Sequence, residues 1–325
     1  MRIRLRSTLF ASAILAGSLL SACSSPTEAG EDSAETRVVA TEQGDVTIPA
    51  DPQKIVVLNS ALAGYLYALD VPVYGTLPLN TRTEEFPEFW ADEAEADDTW
   101  MVPWSDDGFD FEALFEKDPD LIIGGGQGFP GKQAADAYDQ LTEIAPTVLV
   151  SSSLTTWQEE LDFIADDILD KSDEAQGLKD NYEARTAEVR DAITAPSTPV
   201  SYMLFGSDMS PWSIPETASL PSTLGDVGLE AAPVVADNPD FELFGSGDSF
   251  EVSTENVGEV FTYPTVFVLG FQSDVTTVAE LSENPVYAAL PAFEAGDAYD
   301  LPYWAHRADY LATMALLDTI ETMFG

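Results

Sequence analysis

One histidine, His306, and one cysteine, Cys23, are all that 325 residues offer as imidazole and thiolate ligands. That scarcity excludes a zinc centre built on several imidazole or thiolate groups. A serine nucleophile would need His306 as its base. Asp309 follows three residues later, but helical neighbours at that spacing do not make a triad, and no Gly-x-Ser-x-Gly elbow is present. Carboxylates are abundant, Glu93, Glu95, Asp97, Asp98, Asp106 and Asp107 among them. In so acidic a chain their proximity reads as a solvated face. These groups point away from an enzyme and towards a binder without a cofactor.

One motif invites a cofactor reading. Gly126-Gln127-Gly128-Phe129-Pro130-Gly131 satisfies G-x-G-x-x-G after a strand. A dinucleotide site needs that turn at a helix start and an acid at the end of the next strand. Here the next strand ends in Ser151 to Ser153, and the Pro-Gly pair is expected to delay the helix. The glycines are read instead as a sharp turn that carries Phe129 to an edge. Binding chemistry falls to aromatics beside strand-end loops: Trp104, Phe129, Trp212, Phe271, Tyr303 and Trp304. Asn59 sits at another such loop, as do Arg82 and Arg307, two of 13 basic residues. Aromatic faces with a few guanidinium groups suit a large ligand that is flat and rich in oxygen.

The elements that must position these residues fall into two runs. Lys54–Asn59, Val71–Gly75, Asp120–Gly124 and Thr147–Val150 are short apolar strands, separated by helices over Ser60–Leu69, Phe111–Phe115 and Gln133–Ile144. Near-continuous apolar strands suit a parallel sheet covered on both faces, with ligands outside the carboxyl ends. The pattern restarts with strands Val200–Gly206, Thr265–Gly270 and Ala298–Pro302. Its helices are Ser222–Val227, Ser253–Val260 capped by Ser253, and a closing helix through Phe324. Between the runs lies Ser172–Thr194, with apolar Ala175, Leu178, Tyr182, Val189 and Ile193 at helical spacing. Ser172 is its expected N-cap, and Pro196 and Pro199 stop it. The expected fold is α/β: two Rossmann-like lobes with mainly parallel sheets, joined by one long α-helix about 33 Å in length. A single rod should resist wide bending, so closure on a ligand between the lobes should be modest.

The N-terminus is an address. Basic Met1–Arg6, an apolar run from Leu9 to Leu20 and small residues up to Cys23 describe an export signal too short to span a membrane. Leu20-Ser21-Ala22-Cys23 resembles a bacterial lipobox, which implies cleavage before Cys23 and a lipid thioether on its sulfur. The boundaries are then 1–22 signal peptide, 23–37 lipidated polar tether, 38–170 first lobe, 171–195 connecting helix and 196–325 second lobe. Composition adds a 45% hydrophobic share, enough for packed cores, and a formal charge of −45. Removing the leader takes away Arg2, Arg4 and Arg6 and no acid, so the processed chain is more negative still. Such a surface excludes nucleic acid and disfavours strongly anionic ligands.

Pro52 to Leu58, Asp118-Pro119-Asp120-Leu121-Ile122, Tyr138 to Thr147, and Asn284 to Leu290 with the stretch on to Asp309 together carry a resemblance. Over residues 38–325 the chain resembles the substrate-binding lipoproteins of bacterial ABC importers for ferric siderophores, haem and cobalamin. The resemblance implies a monomer on the outer face of the cell membrane that delivers its ligand to a permease. It further implies one docking acid per lobe, Glu112 before the Pro-Asp-Leu strand and Glu255 in Ser253-Thr254-Glu255. The charge favours a neutral or cationic ferric complex, such as a hydroxamate, as the ligand. Haem is the alternative, with His306 or Tyr303 as axial ligand, and cobalamin a further one.

Overall fold

Alternation within short buried strands builds the molecule. The computed structural model describes residues 35–244, 247–271 and 273–325. Cys23, the export signal and most of the tether lie outside the described residues, as does Gln272. Strands β1 (Thr36–Thr41) and β2 (Gly44–Pro49) form an antiparallel hairpin. A five-stranded parallel sheet follows, in spatial order β5 (Trp100–Met101), β4 (Gly75–Thr76), β3 (Ile55–Val57), β8 (Leu121–Gly125), β9 (Thr147–Val150). A small hairpin of β6 (Trp104–Ser105) and β7 (Gly108–Phe109) flanks it. The second sheet has the order β12 (Phe250–Glu251), β11 (Pro211–Ser213), β10 (Val200–Phe205), β13 (Thr265–Gly270), β14 (Ala298–Asp300). Its β10, β13 and β14 are parallel, while β11 and β12 run antiparallel.

The sheets are separate, but their facing layers merge. Ile55, Val57, Leu121 and Ile123 of the first sheet share one core with Tyr202, Leu204, Phe267 and Leu269 of the second. The intervening Val56, Ile122 and Leu149 enter a core of the first lobe alone, and Met203, Phe205, Val266 and Val268 enter one of the second. Period-two alternation thus assigns each strand residue to a shared or a private layer.

Helices α1 (Ser60–Ala68), α2 (Phe111–Lys117), α3 (Gly128–Asp136) and α4 (Trp157–Asp162) cover the first sheet. The long helix α5 (Ser172–Ala192) leads to the second lobe, with α6 (Ser219–Asp226) and the closing α7 (Tyr310–Phe324). Helix α5 buries Ala175, Tyr182, Thr186 and Val189, and its 21 residues span about 31 Å. It does not stand alone. Helix α7 packs along it, the Arg185 guanidinium donates to Asp318 Oδ1 at 2.6 Å and pairs with Glu321, and Thr194 N donates to Phe324 O at 2.7 Å.

Several boundaries differ from the sequence reading. Ser172 is the first helical residue of α5 rather than its cap, and Lys171 occupies the cap position without capping the helix N–H groups through its side chain. The expected strand Val71–Gly75 pairs only at Gly75–Thr76, because Pro72 has no N–H to give a ladder. Ser219–Asp226 starts three residues before the helix expected at Ser222. The helix expected over Gln133–Ile144 is two, α3 and Tyr138–Thr142, divided at Ala137. Helix α3 begins at Gly128, so Pro130 and Gly131 do not delay it. Proline sits in its first turn, where the N–H it lacks would have had no intrahelical partner. Ser253 caps nothing: Ser253 O accepts from Asn256 N at 2.9 Å in a turn, and helix starts only at Val257.

Candidate functional site

The strand ends build a cleft. Asn59 and Ser60 follow β3, Leu79 follows β4, Trp104 follows β5, and Gln127 follows β8. From the second lobe come Phe271 after β13 and Tyr303, Trp304, His306 and Arg307 after β14. All lie beyond carboxyl ends of parallel strands, where an open α/β sheet offers space. Together they enclose about 780 Å³, the open space at the mouth included.

Of the residues expected in the site, Asn59, Trp104, Phe271, Tyr303, Trp304 and Arg307 line this cleft, with His306. Arg82, Phe129 and Trp212 do not. Arg82 is exposed on the loop after β4, where its N–H donates to Asn80 Oδ1 at 2.9 Å. Phe129, 39% exposed, faces a separate groove with Phe109, Phe111 and Lys132. Trp212 stands behind Phe271, edge-on at 5.4 Å. Local sequence could not separate these cases, because a strand-end loop has a cleft side and an outer side.

Asn59 is chiefly structural. Its Oδ1 accepts from Ala61 N at 3.2 Å, capping α1, and its Nδ2 donates to Gly125 O at 2.9 Å and Gln127 O at 3.2 Å. Those bonds fix the turn after β8 against the start of α1. Gly131 lets α3 pass under that turn: a Cβ there would stand 2.2 Å from Gly126 O. Trp104 is held by Nε1 donating to Gln133 Oε1 at 2.6 Å. Trp304 meets Phe89 of the first lobe edge-on at 4.7 Å, so the cleft is closed at one side by an aromatic contact between lobes.

Charge is concentrated at the base of the cleft. Arg307 Nε donates to Asp248 Oδ2 at 2.6 Å, and Asp248 is 2% exposed. His306, 3% exposed, is held by burial, and then by the neighbouring Arg307 charge, down at about 4, so its ring is neutral at pH 7. Burial pushes the Asp309 carboxyl up to about 6. Glu160, behind the cleft, accepts from the Tyr65 hydroxyl at 2.9 Å, yet burial, with Asp309 nearby, pushes it up to about 7. The aromatic wall was legible in the sequence. Phe89, Gln127, Glu160 and Asp248 were missed, and none carries a local signal. Among the described residues no group of acids, histidine and cysteine is arranged to hold a metal ion.

The docking acids expected from the resemblance are both exposed. Glu112 lies in the first turn of α2, whose N-cap Asp110 accepts from Ala113 N at 3.0 Å, and Glu255 lies in the turn before Val257.

The chain belongs to the periplasmic binding protein family, whose model matches residues 55–303. This is a family of binding proteins rather than enzymes. Over 297 residues, 89% of this chain and 91% of the relative, it is 26% identical to the ferric enterobactin-binding periplasmic protein FepB of Escherichia coli. It is 25% identical to the probable siderophore-binding lipoprotein YfiY of Bacillus subtilis, over 96% of this chain and 95% of that one. Among solved structures, holo-ViuP superposes with a TM-score of 0.76 at 22% identity, covering 89% of this chain and 95% of that one. Staphylococcus aureus SirA complexed with staphyloferrin B superposes at 0.71 and 18% identity, covering 89% and 99%. These likenesses show the two-lobed α/β fold with its connecting helix.

Proposed function

We propose that this chain is an extracytoplasmic lipoprotein that captures a ferric siderophore in the cleft between its lobes and delivers it to an ABC permease. The observation that carries this reading is a cleft walled by Trp104, Phe271, Tyr303 and Trp304 from both lobes, in a chain of this family. Flat aromatic walls suit the ligand arms around a chelated iron. The lobes are 38–170 and 196–325 about the helix 171–195, a division that the two separate sheets support. Cys23 carries the lipid, and Glu112 and Glu255 meet basic groups of the permease.

The names of relatives do not choose the siderophore, since they span ferric enterobactin, dicitrate, staphyloferrin B and ferrichrome. The cleft does. Its cation, Arg307, is paired with Asp248, and Asp309 adds negative charge, so a hydroxamate-like complex without net negative charge fits better than an anionic catecholate. Haem is a second reading, favoured by one observation: His306 lines the cleft as a neutral ring, and neither ring nitrogen has a hydrogen bond. Neutral imidazole is the form that ligates iron.

Titration of the processed protein with ferrichrome, a ferric tris-catecholate, haem and cobalamin, followed by tryptophan fluorescence, decides between these readings. Quenching by a ferric siderophore is expected, because Trp104 and Trp304 line the cleft. A Soret band lost on His306→Ala would assign haem instead. Absence of quenching by any ferric complex would end the siderophore reading.

A further inference from the structure

We propose that Asp248 determines which charge class of ferric complex this protein accepts, by neutralising Arg307 at the base of the cleft. The inference rests on the siderophore reading and deepens it. Arg307 is the cationic side chain lining the cleft, beside a neutral His306. Among the described residues its ion pair is with Asp248, 59 positions earlier in the chain. The Asp248 side chain is 2% exposed and that of Arg307 25% exposed. The acid is therefore inside and the guanidinium at the cleft surface.

Burying a carboxylate is costly unless a cation and hydrogen bonds compensate it. Here Nε of Arg307 supplies a short charge-assisted bond, and Ser249 Oγ lies 3.4 Å from Asp248 Oδ1. His306 Nε2 is 3.5 Å from Asp248 Oδ2 but adds no charge at neutral pH. The guanidinium is confined on its other side. A Cβ at Gly128, in the first turn of α3, would stand 2.9 Å from Nη1. Arg307 is thus lodged between a buried acid of its own lobe and the backbone of the other.

A ligand entering the cleft meets that pair as a neutral dipole, with the Asp309 carboxyl beside it. An anionic complex gains little from an arginine already compensated, and it is repelled by Asp309. A neutral tris-hydroxamate complex loses nothing, and the Nη groups still offer N–H donors to its oxygens. Replacing Asp248 by a neutral isostere leaves the positive charge of Arg307 to the cleft.

The test compares dissociation constants of ferrichrome and of a ferric tris-catecholate for wild type, Asp248→Asn and Asp248→Glu, at low and high salt. Wild type is expected to prefer ferrichrome. Asp248→Asn should move the ratio towards the catecholate by about tenfold or more, equivalent to about 1.4 kcal/mol. That shift should shrink in high salt, Asp248→Glu should keep the wild-type ratio, and adding Arg307→Gln to Asp248→Asn should restore it. A folded Asp248→Asn with an unchanged ratio overturns the inference, as does a wild-type preference for the catecholate. Where Asp248→Asn fails to fold, Arg307→Gln alone reads the same pair: taking the cation from the buried acid should move the ratio further towards ferrichrome, and an unchanged ratio overturns the inference. Binding of neither complex by wild type would sink the siderophore reading itself, and this inference with it.

Discussion

His306, Glu160 and Asp309 meet where the lobes join, and burial drives all three towards their neutral forms. For His306 the ring is held down at about 4 from an ordinary 6.5, so the unfolded chain takes up its proton first and stability is lost as pH falls from 6.5 to 4. Glu160 works in the opposite sense. Its carboxyl is pushed from 4.5 to about 7, so the folded state holds the proton longer and stability is lost as pH rises through that window. Asp309, pushed from 3.8 to about 6, acts with Glu160. The groups facing them include Asp248 beside His306, Tyr65 on α1, Arg307 before α7 and Glu159 on α4. Between pH 4.5 and 6 the two acids outweigh the histidine by about one proton, so stability falls as pH rises. Urea unfolding of Glu160→Gln should therefore show nearly flat stability between pH 4.5 and 6, where His306 and Asp309 offset each other, and His306→Gln should show it falling more steeply than wild type. Parallel curves for all three proteins would refute this assignment.

At the scale of elements, the connecting helix α5 is braced along its length by the closing helix α7. Trp157 of α4 meets Tyr182 of α5 at 4.9 Å and Tyr310 of α7 at 5.6 Å, so three elements lock around one indole. Helix α1 is drawn in by contact with the α7 cap. A Cβ at Gly64 would stand 1.8 Å from Asp309 Oδ2, whereas one at Gly177, on the exposed face of α5, would meet nothing within 4 Å. The same substitution should act with opposite signs. Gly64→Ala is expected to destabilise by about 1–3 kcal/mol through overpacking, and Gly177→Ala to stabilise by roughly 0.8–1 kcal/mol through helix propensity. Thermal unfolding of the two variants reads both. A stable Gly64→Ala would mean that the Asp309 carboxyl has room to move. Proline carries a lesson at this scale too. Pro130 read as a helix delay because its ring breaks helix interiors, but in the first turn of α3 it breaks nothing.

Across the whole molecule, the shared core running from Ile55 to Phe267 and the aromatic bridge Phe89–Trp304 favour modest over wide closure. No helix among the described residues is long and apolar enough to cross a membrane; the proposed attachment is tested at Cys23. Cys23→Ser should move the protein from the membrane fraction to the soluble one. If it stays membrane-bound, the anchor lies elsewhere. Reversing both docking charges, Glu112→Lys with Glu255→Lys, should abolish iron uptake while leaving siderophore affinity within about twofold, because a rim charge on one interface acts there and is screened elsewhere. Unchanged uptake would remove the docking role.

The chain order of strands and helices, the long α5 and the aromatic wall were legible because each is written in local pattern. Apolar runs make parallel strands, three- and four-residue spacing makes the helix, and aromatics beside strand ends fall near the cleft. Two-residue strands such as β5 and β12 carry no such pattern, since pairing with a neighbour alone defines them. The sides on which Arg82, Phe129 and Trp212 lie depend on which way each loop turns, and only packing decides that. The Asp248–Arg307 pair and the Glu160–Tyr65 bond join residues 59 and 95 apart in sequence. Spacing of that kind has no periodicity to read: the charge at the base of the cleft is set by distances that exist only after the two lobes have closed over a common core.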